Sequence, residues 1–345
     1  MNTTIIEQFE QLVAQKRREL LKASDKERFH KSISLTQTQK VVRLLKQFPE
    51  EILGDVQLKR LERMKGVGKK SIERIREIIE KGRLKEIKIT KGTKVTDRQL
   101  KQIEDLKQVI NIGDATARDL VLKKKITSVA KLKKAHKDGK ITLNDKILLG
   151  LKYHKKYHQN IPREEVLKID NYINKQAKRV DLQLYSVICG SYRRVRPSSN
   201  DIDVLITHPS IKTKNQLIKM GDDNYLHQLV RRLEDAGFLL DAMTDKNFNN
   251  KYMGFCRLGS KTKIRRIDIR FVPRRSYYPA LLYFTGSGDF NRRMREHAIT
   301  LGFKLNEYGL FKKKDDGSFR KISVKSEKDI FVKLGMAYVE PVDRL

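Results

Sequence analysis

Two aspartates in an apolar stretch, Asp201 and Asp203, have a type and spacing that could do chemistry. The run from Ile202 to Thr207 is rich in branched apolar residues, so it predicts a strand. Alternation along a strand directs both carboxylates to one face. Neighbouring carboxylates repel one another unless a cation lies between them, and their hard oxygen atoms suit Mg²⁺. The pair therefore indicates a divalent-metal site.

A glycine–serine turn lies just before this strand. Residues 190–194 read G-S-Y-R-R, and they predict a turn in which Ser191 and Arg194 stand where a short helix begins. Free backbone N–H groups and the helix dipole at such a position favour a phosphate. A phosphate-binding turn beside a pair of metal-binding carboxylates suggests phosphoryl or nucleotidyl transfer.

A second strand could supply the third carboxylate that a two-metal site usually needs. The run 264–271 offers such a strand, in which the apolar residues Ile267, Ile269 and Phe271 face one way and Arg266, Asp268 and Arg270 face the other. If this strand lies beside the first, Asp268 completes a triad that holds two metal ions. An isolated D-x-D on a strand is more often a solvated face. The three motifs together favour the metal site.

These motifs resemble those of the family X DNA polymerases. The similarity includes G-S-Y-R-R at 190–194, D-I-D-V-L-I-T-H at 201–208, R-R-I-D-I-R at 265–270 and Y-F-T-G-S at 283–287. It implies a multidomain α+β fold, with an N-terminal helical helix-hairpin-helix domain and a polymerase hand whose palm has a nucleotidyltransferase-type mixed β-sheet. The implied division is 1–90 for a lyase-like DNA-binding domain, 91–159 for a duplex-binding subdomain, 160–274 for the catalytic palm and 275–345 for a nucleotide-selection subdomain.

The resemblance also implies a role for each residue that matches a family motif. Asp201, Asp203 and Asp268 would hold two Mg²⁺ ions, with Mn²⁺ as an alternative, and Asp268 would help the primer 3′-hydroxyl to lose its proton. Arg266 and Arg270 would steady Asp268 and Asp203. The implied nucleotide contacts are Ser191, Arg194, Ser199, Asn200, Tyr283, Phe284, Gly286 and Asn291. The implied DNA contacts are Gly66, Gly68, Lys70, Gly113, Arg266 and Arg295.

Two similar turns between helices predict a pair of helix-hairpin-helix motifs. The first reads M-K-G-V-G-K-K at 64–70, and the second reads V-I-N-I-G-D-A at 109–115, where Asn111 replaces the first glycine and tolerates a left-handed φ. Glycines let the backbone approach a DNA phosphate. The alternative is that both are ordinary helix turns. The resemblance implies Na⁺ or K⁺ on the backbone carbonyls of Glu62, Met64 and Val67, and on those of Lys107, Val109 and Ile112.

One position departs from the family pattern. Members with this N-terminal domain often carry a 5′-deoxyribose phosphate lyase activity, whose Schiff-base lysine follows a hairpin lysine by four residues. Lys70 matches the hairpin lysine, but Arg74 stands at the nucleophile position, and a guanidinium stays protonated. Lys69, Lys70 or Lys85 could substitute. We therefore expect lyase activity by the usual route to be absent or weak.

Caps in the sequence predict where some of the supporting helices begin. The run P-R-E-E at 162–165, with proline before a first turn that contains two acids, predicts a helix start. Ser326 followed by Asp329 predicts the start of the C-terminal helix. By resemblance, residues 210–222 are expected to form a loop inserted between the palm strands.

The charge of the chain predicts a polyanionic partner. The formal net charge is +34, with 76 Lys and Arg residues against 42 Asp and Glu residues. Backbone phosphates would supply most of the affinity for a nucleic acid. A ribosomal or chromatin protein would share this bias, so charge alone identifies no function.

The cysteines and the hydropathy pattern indicate the environment of the protein. Cys189 and Cys256 lie in apolar segments without metal-ligand spacing, which fits core packing in a reducing compartment. No apolar run approaches the length of a membrane span, and the N-terminus lacks a signal-peptide pattern. We expect an intracellular protein, with the nucleus and a viral or cytoplasmic replication site both open.

The sequence thus favours template-directed DNA synthesis in short gaps, in repair of the base-excision type, by two-metal nucleotidyl transfer. The expected partners are gapped or nicked duplex DNA and deoxynucleoside triphosphates, with a DNA ligase as a candidate protein partner. The chain is expected to be a monomer that binds no membrane. Two alternatives stay open: a template-independent nucleotidyl transferase, and a DNA-binding scaffold whose active site has decayed.

Overall fold

The computed structural model describes residues 2–64, 66–87, 93–157, 160–244 and 250–344. The chain divides into two compact units, Met1–Leu151 and Lys152–Leu345. The predicted boundary between residues 90 and 91 lies outside the described residues, and the division into four domains stays a prediction. Across the described ranges, no helix is both long enough and apolar enough to cross a bilayer.

The described residues of the first unit form helices and the turns between them. One hydrophobic cluster includes Phe9, Leu61 and Ile75, and a second includes Leu106 and Leu132. A π-helical turn, Asp119–Lys123, follows the sixth helix directly. The helices are α1 (Thr3–Lys22), α2 (Asp25–Gln47), α3 (Asp55–Glu62), α4 (Lys69–Lys81), α5 (Thr93–Lys107), α6 (Asp114–Arg118), α7 (Val129–Lys137) and α8 (Asp145–Tyr153), the last of which continues into the second unit.

The second unit combines helices with three β-sheets. Its strands are β1 (Ile161–Pro162), β2 (Tyr185–Ile188), β3 (Ser198–Ser199), β4 (Ile202–Thr207), β5 (Leu239–Ala242), β6 (Lys251–Cys256), β7 (Arg265–Phe271), β8 (Phe303–Asn306), β9 (Gly309–Lys313) and β10 (Phe319–Ile322). Its further helices are α9 (Arg163–Val180), α10 (Gly190–Arg193), α11 (Lys214–Lys219), α12 (Tyr225–Asp235), α13 (Tyr277–Thr285), α14 (Gly288–Thr300) and α15 (Glu327–Lys333). Single 3₁₀ turns cover Gly221–Asp223, Arg274–Ser276 and Pro341–Asp343.

The largest sheet is mixed, as the sequence predicted. Its strand order is β2-β4-β7-β6-β5, in which β4 and β7 are parallel and the other pairs are antiparallel. One face packs on α9 and α12 through a core that includes Ile202 and Ile206 of β4 and Ile267 and Ile269 of β7. Because side chains alternate along a strand, the residues directly before and after each of these isoleucines point to the opposite face.

Residues 210–222 contain a helix, so the prediction of a loop there is wrong. The Thr213 hydroxyl accepts a hydrogen bond from the Gln216 amide at 3.3 Å, and the Gln216 side chain accepts one from the Thr213 amide at 3.0 Å. This reciprocal pair is a capping box, which satisfies backbone donors at the start of α11. Leu217 is fully buried and fixes the helix to the palm core.

The last part of the second unit packs α13, α14 and α15 with a small antiparallel sheet around one core. The strand order of that sheet is β10-β9-β8. Its core includes Phe290, Leu310 and Phe331. The Ser326 hydroxyl accepts a hydrogen bond from the Asp329 amide at 3.0 Å, so α15 begins where the sequence predicted.

A buried ion pair joins the first turn of α9 to β7. Arg265 is 2% exposed. Its guanidinium donates to both carboxylate oxygens of Glu165, at 2.7 and 2.5 Å. A charge in this position needs a partner, because water cannot solvate it. Glu165 therefore compensates a cation on the core face of the sheet, in addition to favouring the start of the helix.

We expect Glu165→Leu to lower the free energy of unfolding by about 3 kcal/mol, because Arg265 loses the carboxylate that compensates its buried charge. Urea-induced unfolding, followed by circular dichroism, measures the change. Glu164→Leu is the matched control, since Glu164 is exposed in the same helical turn. Equal unfolding midpoints for the two variants would show that the buried pair contributes nothing.

Candidate active site and DNA-binding turns

The parallel pairing of β4 with β7 brings the three predicted metal ligands together. Asp203 and Asp268 are direct partners in the register, and Asp201 lies immediately before β4. All three side chains belong to partly buried residues. Their charges also act on one another. Carboxylates that are far apart in the sequence therefore converge on the face of the sheet opposite α9 and α12.

This face disfavours ionised carboxylates. Burial, together with the negative charges of Asp201 and Asp268, raises the pKa of Asp203 to about 7. Burial also raises the pKa of Asp201, where Arg266 opposes the rise and Asp268 adds to it. A bound cation would stabilise the ionised forms. The donor set of carboxylate oxygens fits a divalent ion such as Mg²⁺.

Arg266 supplies positive charge next to these carboxylates. Its Nη2 donates to both oxygens of Asp268, at 3.1 and 3.0 Å. In the part of the chain that the structure describes, no three Asp, Glu, His or Cys side chains are close enough to enclose a metal ion. The three carboxylates thus share one face and are partly neutralised by Arg266, but they do not enclose a metal position in this arrangement. Their role as metal ligands stays a prediction.

The glycine–serine turn packs directly against Asp203. Gly190 has a φ of +56°, and a Cβ atom at this position would lie 2.6 Å from Oδ2 of Asp203. The Cys189 amide donates to the Asp203 carbonyl at 2.8 Å, which holds the turn against β4. The Ser191 hydroxyl donates to the Ser199 hydroxyl at 2.8 Å. Only glycine fits this contact without moving the carboxylate.

Arg194 combines a buried charge with incomplete hydrogen bonding. Its Nη1 donates to the carbonyl of Thr285 at 2.6 Å. Its Nε is buried and has no hydrogen-bond partner among the described residues. Burial lowers the pKa of Arg194, and the charge of Arg196 lowers it further. An anion would satisfy both the charge and the free N–H group, so Arg194 fits a phosphate.

The residues of α13 and α14 that are predicted to contact the nucleotide also contact one another. The Asn291 side-chain amide donates to the Tyr283 carbonyl at 2.6 Å. A Cβ atom on Gly286 would lie 3.3 Å from Nη1 of Arg194, so the backbone of this turn closely approaches the Arg194 guanidinium. Arg295 lines a small cavity together with Tyr283 and Asn291.

Arg270 contacts an aromatic ring at the end of α13. Its guanidinium lies over the ring of Phe284, 5.0 Å from the centroid, and a cation is attracted to the face of an aromatic ring. The cations that lower the pKa of Asp203 are Arg266 and Arg194. Arg270 and Phe284 line a cavity of about 340 Å³. The support of the aspartates that was expected from Arg270 stays a prediction.

An ion network that the sequence did not reveal ties α10 to the C-terminal residues. Arg193 donates to Oε1 of Glu327 at 3.1 Å and to the Thr285 hydroxyl at 2.6 Å. Arg344 donates to the same Glu327 oxygen at 2.7 Å, and both Glu327 and Arg344 are buried. The network holds α10, the helix of the glycine–serine turn, against α13 and α15. Charges so far apart in the sequence leave no periodic pattern.

The two predicted hairpin turns share one hydrogen-bond pattern. Each turn closes with two successive amide-to-carbonyl bonds between residues three apart. Their lengths are 2.9–3.1 Å: Met64 to Leu61 and Val67 to Met64 in the first turn, Val109 to Leu106 and Ile112 to Val109 in the second. The predicted carbonyl ligands of Na⁺ or K⁺ lie in or beside these turns, and a carbonyl that accepts one amide bond keeps a second lone pair. The cation sites stay a prediction.

The special backbone positions of the two turns also correspond. Gly66 has a φ of +113°, and Asn111 at the equivalent position has a φ of +70°, as the sequence predicted. The Asn111 side chain donates to the Lys146 carbonyl at 2.9 Å. Gly68 caps the start of α4, and Gly113 caps the start of α6.

Arg74 is part of an ion pair. Its Nη2 donates to Oε2 of Glu86 at 2.9 Å, and its side chain is 12% exposed. Lys69, Lys70 and Lys85 are exposed. The position at which the family's Schiff-base lysine is expected thus carries a paired guanidinium, which cannot act as a nucleophile.

The mixed palm sheet, the helices on it and the C-terminal layer form the α+β hand of a nucleotidyltransferase-type polymerase. Two family models match this part of the chain: that of the DNA polymerase beta palm over residues 160–274, and that of the DNA polymerase beta thumb over residues 280–345. Together they include more than half of the chain. The chain belongs to the family X DNA polymerases.

Similar curated proteins agree with this family. DNA polymerase lambda of Rattus norvegicus is 31% identical over 290 residues, which are 81% of this chain and 47% of that protein. DNA polymerase lambda of Arabidopsis thaliana is 29% identical over 322 residues, or 88% of this chain and 56% of that protein. DNA nucleotidylexotransferase of Gallus gallus is 27% identical over 180 residues, or 46% of this chain and 35% of that protein. The chain spans about half the length of the two lambda polymerases.

We expect Gly190→Ala to reduce nucleotide incorporation into a primed template by about 100-fold, because the added methyl group displaces the Asp203 carboxylate. The substitution also destabilises the fold by about 1–2 kcal/mol, since alanine disfavours a positive φ. Steady-state primer extension and thermal unfolding measure the two effects separately.

Gly237→Ala is the matched control for this experiment. Gly237 has a φ of +67°, but no atom lies within 4 Å of its ideal Cβ position. The control therefore carries the backbone strain without the clash. Equal losses of activity in the two variants would contradict the close contact between Gly190 and Asp203.

Proposed function

We propose that this chain is a DNA-directed DNA polymerase that adds deoxynucleotides to a primer end in short gaps of duplex DNA. The observation that carries the proposal is the convergence of Asp201, Asp203 and Asp268 beside a turn with an incompletely bonded arginine, Arg194. Membership of the family X DNA polymerases supports the same reaction. Filling short gaps in base-excision repair is the setting that we infer for this activity.

The three aspartates would hold two Mg²⁺ ions, or Mn²⁺ in their place. When bound, such ions lower the pKa of an attacking hydroxyl group and stabilise the leaving oxygen of the triphosphate. The Asp268 carboxylate would orient the primer 3′-hydroxyl and accept its proton. Arg266, which is bonded to both oxygens of Asp268, would hold that carboxylate in position at the primer end.

The glycine–serine turn would hold the triphosphate. Arg194 offers a buried N–H group that lacks a partner among the described residues, and the linked hydroxyls of Ser191 and Ser199 lie close in sequence and space. The exposed Asn200 would add a backbone contact. These donors are fixed before the nucleotide arrives, so binding needs little reorganisation.

The neighbouring helices would select the nucleotide. The backbone at Tyr283, Phe284 and Gly286 would lie against the sugar. Asn291 is fixed by its hydrogen bond to the Tyr283 carbonyl and would contact the base. Arg295 would contact the template strand. Each assignment rests on the proposed polymerase reaction.

The two hairpin turns would hold the DNA backbone. Gly68 and Gly113 have ordinary φ angles of −89° and −81°, and no atom lies within 4 Å of an ideal Cβ at either position. Nothing in the described protein therefore requires glycine there. An external group that approaches the backbone closely, such as a DNA phosphate, gives glycine a reason. Lys70, exposed next to the first turn, would add a phosphate contact.

The duplicated turns favour a templated reaction over a template-independent one. A pair of backbone-binding turns suits a duplex, whereas a transferase needs only a single primer strand. The lambda polymerases match 81% and 88% of this chain, whereas the nucleotidylexotransferase matches 46%. The retention of three mutually repelling carboxylates on a partly buried face argues against a decayed active site.

We expect Asp268→Asn to reduce synthesis by at least about 100-fold, because the side chain keeps its shape but loses its charge. Affinity for gapped duplex DNA, measured by fluorescence anisotropy, should change less than about twofold. Asp316→Asn, in an exposed turn, is the control and should retain full synthesis. Synthesis by Asp268→Asn at the rate of the control would remove the basis of the proposal.

A primer extended with and without a template strand separates the two reaction classes. The proposal requires Mg²⁺-dependent incorporation that follows the template base. Comparable incorporation on a single-stranded primer would assign the chain to the template-independent transferases instead.

We expect Gly68→Ser and Gly113→Ser together to weaken binding to duplex DNA by about tenfold, because each side chain separates the backbone from a phosphate. Serine is a good helix N-cap, so the free energy of unfolding should not fall. Gly54→Ser is the matched control, since Gly54 caps α3 and also has open space at its Cβ position. Equal DNA affinity in the double variant and the control would show that the turns do not bind DNA.

A further inference from the structure

The cavity of about 340 Å³ in the second unit lies where α11, the end of β7, α13 and β9 meet. Its lining is mostly apolar and includes one residue from each of these elements, namely Leu217, Phe271, Phe284 and Phe311. Leu217 and Phe271 are buried in the palm core, so core packing fixes this side of the cavity. A concave apolar site of this size is typical of those that bind small organic molecules.

The charged residues around this cavity favour an anion. Among the described residues that line it, five are cationic and only Glu307 is acidic. The cationic residues are Lys212, Lys214, Arg270, Arg275 and Lys321. Across the described ranges, none of these five forms an ion pair with a carboxylate. Their charge is therefore available to a ligand, and electrostatic complementarity selects a negatively charged one.

Hydrogen bonds fix the amine of Lys321 at this cavity. Its Nζ donates to the Ser276 hydroxyl at 3.0 Å, and that hydroxyl donates to the Tyr308 carbonyl at 2.8 Å. Ser276 is 6% exposed, so it is a rigid attachment point. An ammonium group has three N–H donors, and the structure describes a partner for one of them. Partial burial lowers the pKa of Lys321, and the charge of Arg275 lowers it further, so an anion would offset the repulsion between these two cations.

The apolar lining does not suit a nucleotide. A deoxynucleoside triphosphate has a polar sugar and several phosphate groups, and these groups would lose their water in an apolar cavity. The lining instead complements a molecule whose body is apolar and which carries a single acidic group.

We propose that this cavity binds a small aromatic molecule that carries one carboxylate group. The carboxylate would accept a hydrogen bond from Lys321 and lie near Arg275, whereas the aromatic body would pack on Phe311, Phe284 and Leu217. The charge-assisted hydrogen bond fixes the orientation, and burial of the aromatic rings supplies most of the affinity. Binding requires neither DNA nor a nucleotide and does not use the three aspartates, so it goes beyond the proposed synthesis.

The probe that tests the proposal is 4-benzoylbenzoate, an aromatic carboxylate whose ketone crosslinks to nearby C–H bonds under ultraviolet light. Isothermal titration calorimetry of the wild-type chain, without DNA, should show saturable binding of one molecule per chain. Peptide mass spectrometry after illumination should locate the crosslink on residues that line the cavity. Benzophenone, which lacks the carboxylate, should bind at least about tenfold more weakly than the probe.

Lys321→Met should weaken binding of the probe by at least about tenfold, because methionine keeps an apolar side chain but lacks the ammonium group. Lys321→Arg should bind within about threefold of the wild type, since a guanidinium also donates to a carboxylate. Lys313→Met is the matched control: Lys313 is exposed on β9 of the same sheet and is not among the residues that line the cavity. Its affinity should equal that of the wild type, and thermal unfolding should show that all three variants are folded.

Three results would each overturn the proposal: no saturable binding to the wild-type chain, a crosslink outside the cavity, or equal affinities of Lys321→Met and Lys313→Met. Displacement of the probe by an equal concentration of a deoxynucleoside triphosphate would also overturn it, because the cavity would then belong to the nucleotide site. Primer extension by the same preparations tests the proposed synthesis separately, so a failure of one proposal is distinguishable from a failure of the other.

Discussion

The structure around the active site depends on the parallel pairing of β4 with β7, which places Asp203 opposite Asp268. Three carboxylates on one partly buried face repel one another, and burial and this repulsion together raise the pKa of Asp203 to about 7. Neighbouring groups either reduce this repulsion or leave room for the carboxylates. Arg266 bonds to Asp268, and the glycine at position 190 leaves room for the Asp203 carboxylate. The groups around the aspartates therefore offset part of the negative charge, and a bound divalent cation would offset more of it.

Features governed by short-range patterns were predictable from the sequence. Strand alternation predicted that Asp203 points away from its apolar neighbours on β4 and Asp268 away from those on β7, because the period of a strand is two whatever packs against it. The positive φ of Asn111 followed from its place in a repeated turn. The start of α15 followed from Ser326 and Asp329, since a cap is a contact between near neighbours. The same rule was available for α11, where Thr213 and Gln216 form a capping box that the sequence interpretation overlooked.

Features that depend on the packing of distant segments were not predictable. Arg270 lies over Phe284 because α13 places an aromatic ring there, and nothing near Arg270 in the sequence indicates it. The bonds of Glu327 to Arg193 and Arg344 likewise join residues without a common period. Lys16 belongs to the same class: its own helix shows an ordinary basic residue, and only the packing of α2 and α4 surrounds it with Ser34 and Arg74.

Three glycines differ in whether the fold itself requires the absence of a side chain. At position 190 the protein itself excludes a side chain, because a Cβ atom would meet the Asp203 carboxylate at 2.6 Å. At positions 68 and 113 the φ angles are ordinary and the space is open, so the fold would accept other residues. The first glycine is explained by the active site that it shapes. The fold does not require the other two, so their backbone is open to a partner from outside the chain, and a phosphate backbone is the partner that a net charge of +34 would attract.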